Sequence, residues 1–322
     1  MIKWSKAEEN ILKIACKGVE TITEVKNRYN QLVDGTDFTK RTWDSVKNKM
    51  VRMEIRPTLL MGELETQKVI KVDLKKFKGK LNKLLIVSDS HLCSKYQQLT
   101  YLTEVYHYAK EQGIKTVLHA GDVSAGHPRM HRGYVYETLF KYGYDEQLEY
   151  IVGEYPKIDG MTTYMIGGSH DWIWYKVGGV DIIKAIAKER KDIIYMGYAG
   201  AEVIIPDLDL NIYIHHPTGG VPYARSYRMQ KTIEQFAPQN KPDILIQGHL
   251  HINNFLPMYR NVVGFAIGCF EAQTPYLKSK GLYPEISALL VEITTNDYFR
   301  ENGIASVKYE FLPFFVPKEN DY

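Results

Sequence analysis

The chain is 322 residues long, 44% hydrophobic and 25% charged, which excludes a disordered or fibrous protein and accommodates one large domain with an appendage. Its longest uncharged apolar stretch, residues 261–270, is about half of the roughly 20 residues a membrane span needs, so no membrane association is expected. The net charge of +3 conceals an asymmetry: residues 1–83 hold 19 Lys/Arg against 11 Asp/Glu, and the remainder 22 against 27. That split suggests a basic attachment region joined to a mildly acidic body.

Trp4, Glu8 and Glu9 stand where a signal peptide would be apolar. Cys16, Cys93 and Cys269 are odd in number and far apart, which suits neither a disulfide framework nor a zinc finger. A cytoplasmic protein is the expectation.

Three helical patterns precede residue 56. Ser5 and Glu8 form a capping box, Ala7, Ile11, Leu12 and Ala15 mark one face, and Gly18 stops the helix. Thr21 with Glu24 opens a second segment with a stripe of Ile22, Val25, Tyr29 and Leu32. A third starts near Thr39 and is expected to bury Trp43, Val46, Met50 and Met53. Its other face carries Ser45, Asn48, Lys49 and Arg52, with Lys40 and Arg41 near its start. Trp4-Ser5 with Glu8-Glu9, followed by Arg41-Thr42-Trp43 and Ser45-Val46-Lys47-Asn48-Lys49-Met50, resembles the Myb/SANT-like helix-turn-helix domains. The resemblance implies a small all-α trihelical domain over residues 1–56. Its last helix would enter the DNA major groove with Lys40, Arg41, Ser45, Asn48, Lys49 and Arg52. A protein-docking trihelix is the alternative.

Residues 57–82 read as a basic linker, with Pro57 ending the last helix and six lysines following. Residues 68–72 alternate in polarity, as an edge strand would. From Lys83 onward apolar runs alternate with helical patterns. Strands are expected at 84–87, 116–119 and 161–166, and helices at 100–112, 136–152 and 181–188. Such βα alternation implies a largely parallel sheet. Segments 203–205 and 210–214, flanking a Pro-Asp turn, and the strand-rich stretches 255–270 and 288–315 predict a second sheet stacked on the first.

Ligands in open α/β sheets bind beyond the carboxyl ends of the strands. The polar clusters fall at those ends: Ser88-Asp89-Ser90-His91, Gly121-Asp122, Gly167-Gly168-Ser169-His170-Asp171, His215-His216-Pro217 and Gly248-His249-Leu250-His251. In extended chain Asp89 and His91 would face one way and grip one ion together, as would His249 and His251.

The order and spacing of these motifs over residues 84–269 resemble the calcineurin-like metallophosphoesterases. The resemblance implies a four-layer α/β/β/α sandwich over residues 83–322 and hydrolysis of phosphodiesters. Two divalent ions about 3.5–4 Å apart clamp attacking and leaving oxygens and acidify a bound water in such sites. By the family pattern Asp122 bridges the ions. Asp89, His91 and His251 hold one ion, and His216 and His249 hold the other with residue 169. His170 matches the general acid, and Asp171 is expected to orient its imidazole. His215 is the alternative to His216, which aligns better because of the following Pro217. The chain departs from the family at Ser169, where Asn is usual, and a hydroxyl is a shorter and weaker ligand than an amide carbonyl.

Imidazoles and carboxylates without thiolate suit Mn, Fe, Zn or Co. Manganese is expected from the family. Loops holding Arg129, His131 and Arg132, and Arg225 and Arg228, are candidates for contacting substrate phosphate. A DNA nuclease or phosphodiesterase is the leading reading. A phosphatase or small- or cyclic-nucleotide phosphodiesterase with a localising N-terminal domain is the alternative. A catalytically weak DNA-binding regulator, motivated by Ser169, stands third. Val123-Ser124-Ala125-Gly126 replaces the Asp-Arg-Gly that protein Ser/Thr phosphatases carry shortly after the bridging Asp.

Overall fold

The computed structural model describes residues 4–16, 22–53, 67–71, 82–131, 133–205, 210–295 and 304–322. Two compact units divide the chain, Met1–Leu64 and Glu65–Tyr322.

The first unit holds α1 (Lys6–Ala15), α2 (Ile22–Leu32) and α3 (Trp43–Arg52). Ser5 Oγ accepts from the Glu8 amide, and the Glu8 carboxylate accepts from the Ser5 amide, the expected capping box. Leu12, Val25, Tyr29, Val33, Val46 and Met50 form the core, with Trp4, Ile11, Ile22, Phe38 and Met53 packed on it. Four details differ from the expectation. Ala7 is exposed, and Val33 is buried in place of Leu32. The third helix begins at Trp43 rather than near Thr39, and Trp43 is 40% exposed with Lys47 Nζ 4.9 Å above its ring. Gly18 and Thr21 lie outside the described residues.

The second unit contains two six-stranded sheets. In the first, β2 (Asn82–Val87), β3 (Thr116–His119), β4 (Thr162–Gly167) and β5 (Ile193–Tyr198) run parallel. Antiparallel β11 (Ser287–Thr295) and β12 (Ile304–Pro313) extend it beyond β2, in the order β12-β11-β2-β3-β4-β5. The second sheet comprises β1 (Gln67–Lys71), β6 (Gly200–Ile205), β7 (Leu210–His215), β8 (Ile244–Gln247), β9 (Asn254–Tyr259) and β10 (Val262–Ala266), in the order β1-β6-β7-β8-β10-β9. Strand β1 is the edge strand anticipated from the alternation at 68–72, and it pairs with β6.

Period-2 burial decides how the sheets stack. Leu84 and Ile86 of β2, Leu118 of β3 and Ile166 of β4 meet Val203, Ile212, Ile214, Ile246 and Phe265 of the second sheet in one buried cluster. Helices close both outer faces. On the first sheet, α4 (Leu99–Glu111) contacts β11, α7 (Ser169–Gly178) contacts β4, and α8 (Ile182–Glu189) contacts β4 and β5. On the second, α9 (Tyr227–Gln235) places Met229 and Ile233 against Tyr213, Leu245 and Val262. The result is a four-layer α/β/β/α arrangement.

The helix expected at 136–152 is two helices, α5 (Val135–Thr138) and α6 (Tyr144–Glu154). The Glu146 carboxylate accepts from the Tyr142 and Gly143 amides and so starts a new helix there. Strand β5 and helix α7 were not expected; α7 begins on Ser169 itself.

Candidate metal centre

All the chemistry-bearing loops leave the carboxyl ends of β2, β3, β4, β7 and β8. Asp89 and His91 follow β2, Asp122 follows β3, and Ser169 and His170 follow β4. His216 follows β7, and His249 and His251 follow β8. The loops are stitched by main-chain hydrogen bonds, among them Asp89 N to Gly121 O at 2.9 Å, His91 N to Asp122 O at 3.1 Å and Leu92 N to Val123 O at 2.8 Å.

The backbone at these positions is not extended, as the i, i+2 argument assumed. Asp89, His91, Asp122, His249 and His251 have φ of 51°, 42°, 52°, 76° and 53°, in the left-handed region. Non-glycine residues held there cost about 1–3 kcal/mol each, and such strain concentrates at functional sites. The side chains still converge, through these left-handed turns rather than through pleat alternation.

Among the described residues, three groups bring potential ligand atoms within 4.8 Å of one another: Asp89, His91 and His251; His91, Asp122 and His170; and Asp122, His216 and His249. His91 and Asp122 each belong to two of them, and of the two only Asp122, a carboxylate with two oxygens, has an atom to offer on either side. His91 Nε2 and His251 Nε2 lie 3.1 Å apart, and Asp89 Oδ1 lies 3.8 and 3.3 Å from them. On the other side His216 Nε2 is 3.0 Å from Asp122 Oδ2.

Carbonyl groups set the imidazole tautomers, because a carbonyl only accepts. His216 Nδ1 donates to Ala120 O at 2.7 Å, leaving Nε2 to face Asp122. His249 Nε2 donates to Gly219 O at 2.7 Å, so its Nδ1 is the free nitrogen. His170 Nδ1 donates to Ala125 O at 2.7 Å. Burial lowers His91 well below the usual imidazole range, with the His170 charge adding to it. Burial and His216 together lower His249 to about 4. Burial works against a charge on His216, but the Asp122 carboxylate overrides it and pushes this imidazole up to about 9. Burial likewise opposes ionisation of Asp89 and Asp122, yet the neighbouring imidazoles hold both carboxyls below their ordinary value.

These residues fit divalent cations. Asp89 Oδ1 and His216 Nε2 are buried without a hydrogen-bond partner, the latter lying beside Asp122 in an ion-pair rather than hydrogen-bond alignment. Unsatisfied buried atoms of this kind are costly unless a ligand completes them. The donors are imidazole nitrogens and carboxylate oxygens, as borderline divalent metals prefer. Close packing excludes side chains from the cradle. A Cβ on Gly121 would sit 2.5 Å from His216 Nδ1, and one on Gly168 would collide with the Asp122 carboxylate.

The other expected site residues divide. Ser169 Oγ donates to Asp122 Oδ2 at 3.2 Å, so it touches the carboxylate expected to bridge. His170 also donates its amide to Asp122 Oδ1 at 2.7 Å. Asp171 does not orient His170. Its buried carboxylate accepts from the amides of Gly168, Val123 and Ser124 and from Ser124 Oγ, at 2.8–3.0 Å, tying the β3 and β4 loops together. Burial, with the Asp122 charge, raises Asp171 to about 6. His215 points away from the clusters toward Gln247 Nε2 at 3.1 Å.

Arg129 is exposed, Arg132 lies outside the described residues, and His131 is buried with Nε2 donating to Ala125 O at 3.0 Å. Arg225 pairs with Glu285 at 2.6 Å, and Arg228 donates to Gly220 O at 3.1 Å. Ser88, given no role of its own by the motif, donates its Oγ to Asp89 Oδ2 at 2.5 Å. The carbonyls of Ala120, Ala125 and Gly219 also shape the site, and no side-chain motif signals them.

In the first unit three expected DNA contacts are engaged in ion pairs. Arg41 is buried, bonded to Glu8 Oε1 at 2.7 Å and 4.6 Å above the Trp4 ring. Lys49 pairs with Glu9 at 2.5 Å. Lys40 pairs with Asp34 at the surface, Ser45 is half-buried, and Asn48 and Arg52 are exposed.

Two stacked sheets whose strand ends converge two carboxylates and five imidazoles define a metal-dependent phosphoester hydrolase. The chain belongs to the calcineurin-like phosphoesterases: the family model described as calcineurin-like phosphoesterase matches residues 82–253. No curated protein matches the chain. Solved structures similar to it include a single mutant of Vps29 from Entamoeba histolytica, 17% identical, covering 72% of this chain and 99% of that one with a TM-score of 0.35. Another is a conserved uncharacterised protein from Streptococcus pneumoniae TIGR4, described as a predicted phosphoesterase, 13% identical, with coverage of 73% and 98% and a TM-score of 0.35. A third is Vps29 from Chaetomium thermophilum, 12% identical, with coverage of 72% and 97% and a TM-score of 0.34. Among the described residues no helix is long and apolar enough to cross a membrane.

Proposed function

We propose that the protein hydrolyses phosphodiester bonds of DNA at a two-metal centre bridged by Asp122. The observation that carries this reading is the place of Asp122 in two ligand groups at once, beside His91 and His170 on one side and His216 and His249 on the other. Asp89, His91 and His251 would hold one ion, and His216 and His249 the other, with Ser169 beside it. When bound, such a pair neutralises phosphate charge and supplies a nucleophile near neutral pH. Manganese fits the nitrogen and oxygen donor set.

His170 is positioned as the proton donor to the leaving oxygen. Its Nδ1–H is committed to Ala125 O, which leaves Nε2 as the atom that exchanges a proton. Arg129 and Arg228 remain candidates for steadying phosphate oxygens.

The DNA part rests on α3, where Ser45, Asn48 and Arg52 follow at i, i+3 and i+7 on one face. A second reading, a small-nucleotide phosphodiesterase, is favoured by one observation: Arg41 and Lys49 are drawn into ion pairs with Glu8 and Glu9, which thins the basic face.

A metal-by-substrate screen decides between them. Single- and double-stranded DNA, cyclic nucleotides and bis-p-nitrophenyl phosphate would each be offered with Mn, Fe, Zn and Co. Mn-dependent cleavage of DNA supports the first reading. Turnover confined to cyclic nucleotides and the chromogenic diester overturns it.

A further inference from the structure

The stretch after β12, residues 314–322, folds back along the start of α4. Phe314 stacks on Tyr101 with ring centroids 4.1 Å apart, and Tyr101 donates to Val316 O at 2.6 Å. Lys318 and Gln98 exchange two hydrogen bonds, Lys318 N to Gln98 Oε1 at 2.8 Å and Gln98 Nε2 to Lys318 O at 3.0 Å. The Asp321 carboxylate accepts from the Thr100 amide at 2.8 Å and from the Thr100 hydroxyl. It thus satisfies an orphan donor in the first turn of α4, where the local N-cap residue, Gln98, makes no side-chain cap. Tyr322 stacks on Phe140 at 4.9 Å.

The side chains that receive this segment lead directly to the metal ligands. Gln97 is fully buried. Its Nε2 donates to Asp321 O at 2.9 Å and to Tyr150 OH at 2.6 Å, and its Oε1 accepts from the Cys93 amide at 2.8 Å. Cys93 is itself left-handed at φ 83°, two residues from His91, and Ser94 N donates to His91 O at 3.0 Å. In parallel, Gln98 N donates to Phe270 O at 2.8 Å, and Phe270 N donates to Asp89 O at 3.0 Å. Gln97 therefore has one end of its carboxamide on the 314–322 segment and the other on the Cys93 turn, whereas Gln98 holds the segment with its side chain and reaches Asp89 only through Phe270.

We propose that Gln97 is a positioning residue for the ion held by Asp89, His91 and His251, and that residues 314–322, through Asp321, brace it in place. A left-handed turn without glycine persists only when its surroundings over-determine it. The Gln97 carboxamide does this for Cys93 and, through it, for the His91 turn. Loosening the brace frees the turn and weakens one ion site, while the His216 and His249 site, built on β7 and β8, keeps its geometry. The inference rests on Asp89, His91 and His251 being metal ligands.

The test is a Mn titration followed by calorimetry on the full chain, wild type beside Asp321→Ala and Gln97→Leu, with hydrogen exchange at the Cys93 amide. Ile186→Val, a core change in α8 remote from the brace, controls for general destabilisation. The expected result is about 10-fold weaker binding of one of two ions in both brace variants, the loss typical of an outer partner of a ligand. Faster exchange at Cys93 should accompany it, with Ile186→Val like wild type. Asp321→Ala keeps the main-chain carbonyl that Gln97 uses but removes the carboxylate that fastens the segment to Thr100, so it loosens the brace at its anchor and keeps the assay open should Gln97→Leu not fold. Unchanged affinity for both ions in folded Asp321→Ala, or equal loss at both sites, would overturn the brace. Absence of Mn binding by the wild-type chain would instead overturn the ligand assignment beneath it.

Discussion

The Nε2 atoms of His91 and His251 face each other at 3.1 Å, with Asp89 Oδ1 3.8 and 3.3 Å away and lacking any hydrogen-bond partner. Two imidazole nitrogens and a carboxylate oxygen pointing at one spot are satisfied together by a cation. Anything that binds only the folded state stabilises it by RT ln(1 + [L]/Kd), about 2.7 kcal/mol at 100 times Kd. Stripping metal with a chelator should therefore lower Tm by several degrees, and Mn should restore it. A Tm indifferent to both would remove the metal from this account.

His170 is held by Ala125 O and by its own amide on Asp122. Replacing it with Ala should leave Mn content near wild type and depress kcat by about 100- to 10,000-fold on diesters with poor leaving groups. Substrates with good leaving groups should suffer less. Loss of bound Mn in this variant would make His170 a ligand instead.

Ser169 opens α7 and touches Asp122 through its hydroxyl. Ser169→Asn supplies an amide carbonyl at the same place, and binding of the ion near His216 and His249 should tighten. Activity at limiting Mn should hold or rise. Calorimetry showing equal affinity would mean that residue 169 takes no part in that site.

Much of the site was legible because each motif sits where an apolar run stops. The Ser88–His91 and Gly248–His251 runs follow buried strands with no intervening residue, so their place at the sheet edge followed from the strands. Their conformation did not. The left-handed turns at Asp89, His91 and Asp122 depend on tertiary hydrogen bonds such as His91 N to Asp122 O, which no local pattern encodes. The role given to Asp171 failed for the same reason, since its partners are main-chain amides from another loop. Trp43 misled because helical spacing places it in line with Val46 and Met50, whereas the later helix start leaves it at the open end.

Arg41 and Arg52 should part company on mutation. Arg41 is buried against Glu8 and Trp4, so Arg41→Ala leaves the buried Glu8 carboxylate hydrogen-bonded to Ser5 and Tyr29 but without its countercharge, and should destabilise the first unit by about 3 kcal/mol. Arg52 is exposed at the end of α3. Arg52→Ala should leave Tm unchanged while weakening DNA binding and flattening its log–log salt dependence by roughly 0.9 per lost phosphate contact. DNA affinity identical in wild type and Arg52→Ala, with the same salt slope, would favour the small-nucleotide reading.

The most direct test of the central claim is the Mn-dependent hydrolysis of bis-p-nitrophenyl phosphate by Asp122→Ala, with metal content measured on the same sample. Asp122 is shared by two ligand groups, so its loss should abolish turnover and reduce bound Mn while circular dichroism remains that of the wild type. Full Mn-dependent turnover in folded Asp122→Ala would contradict a bridged two-metal centre.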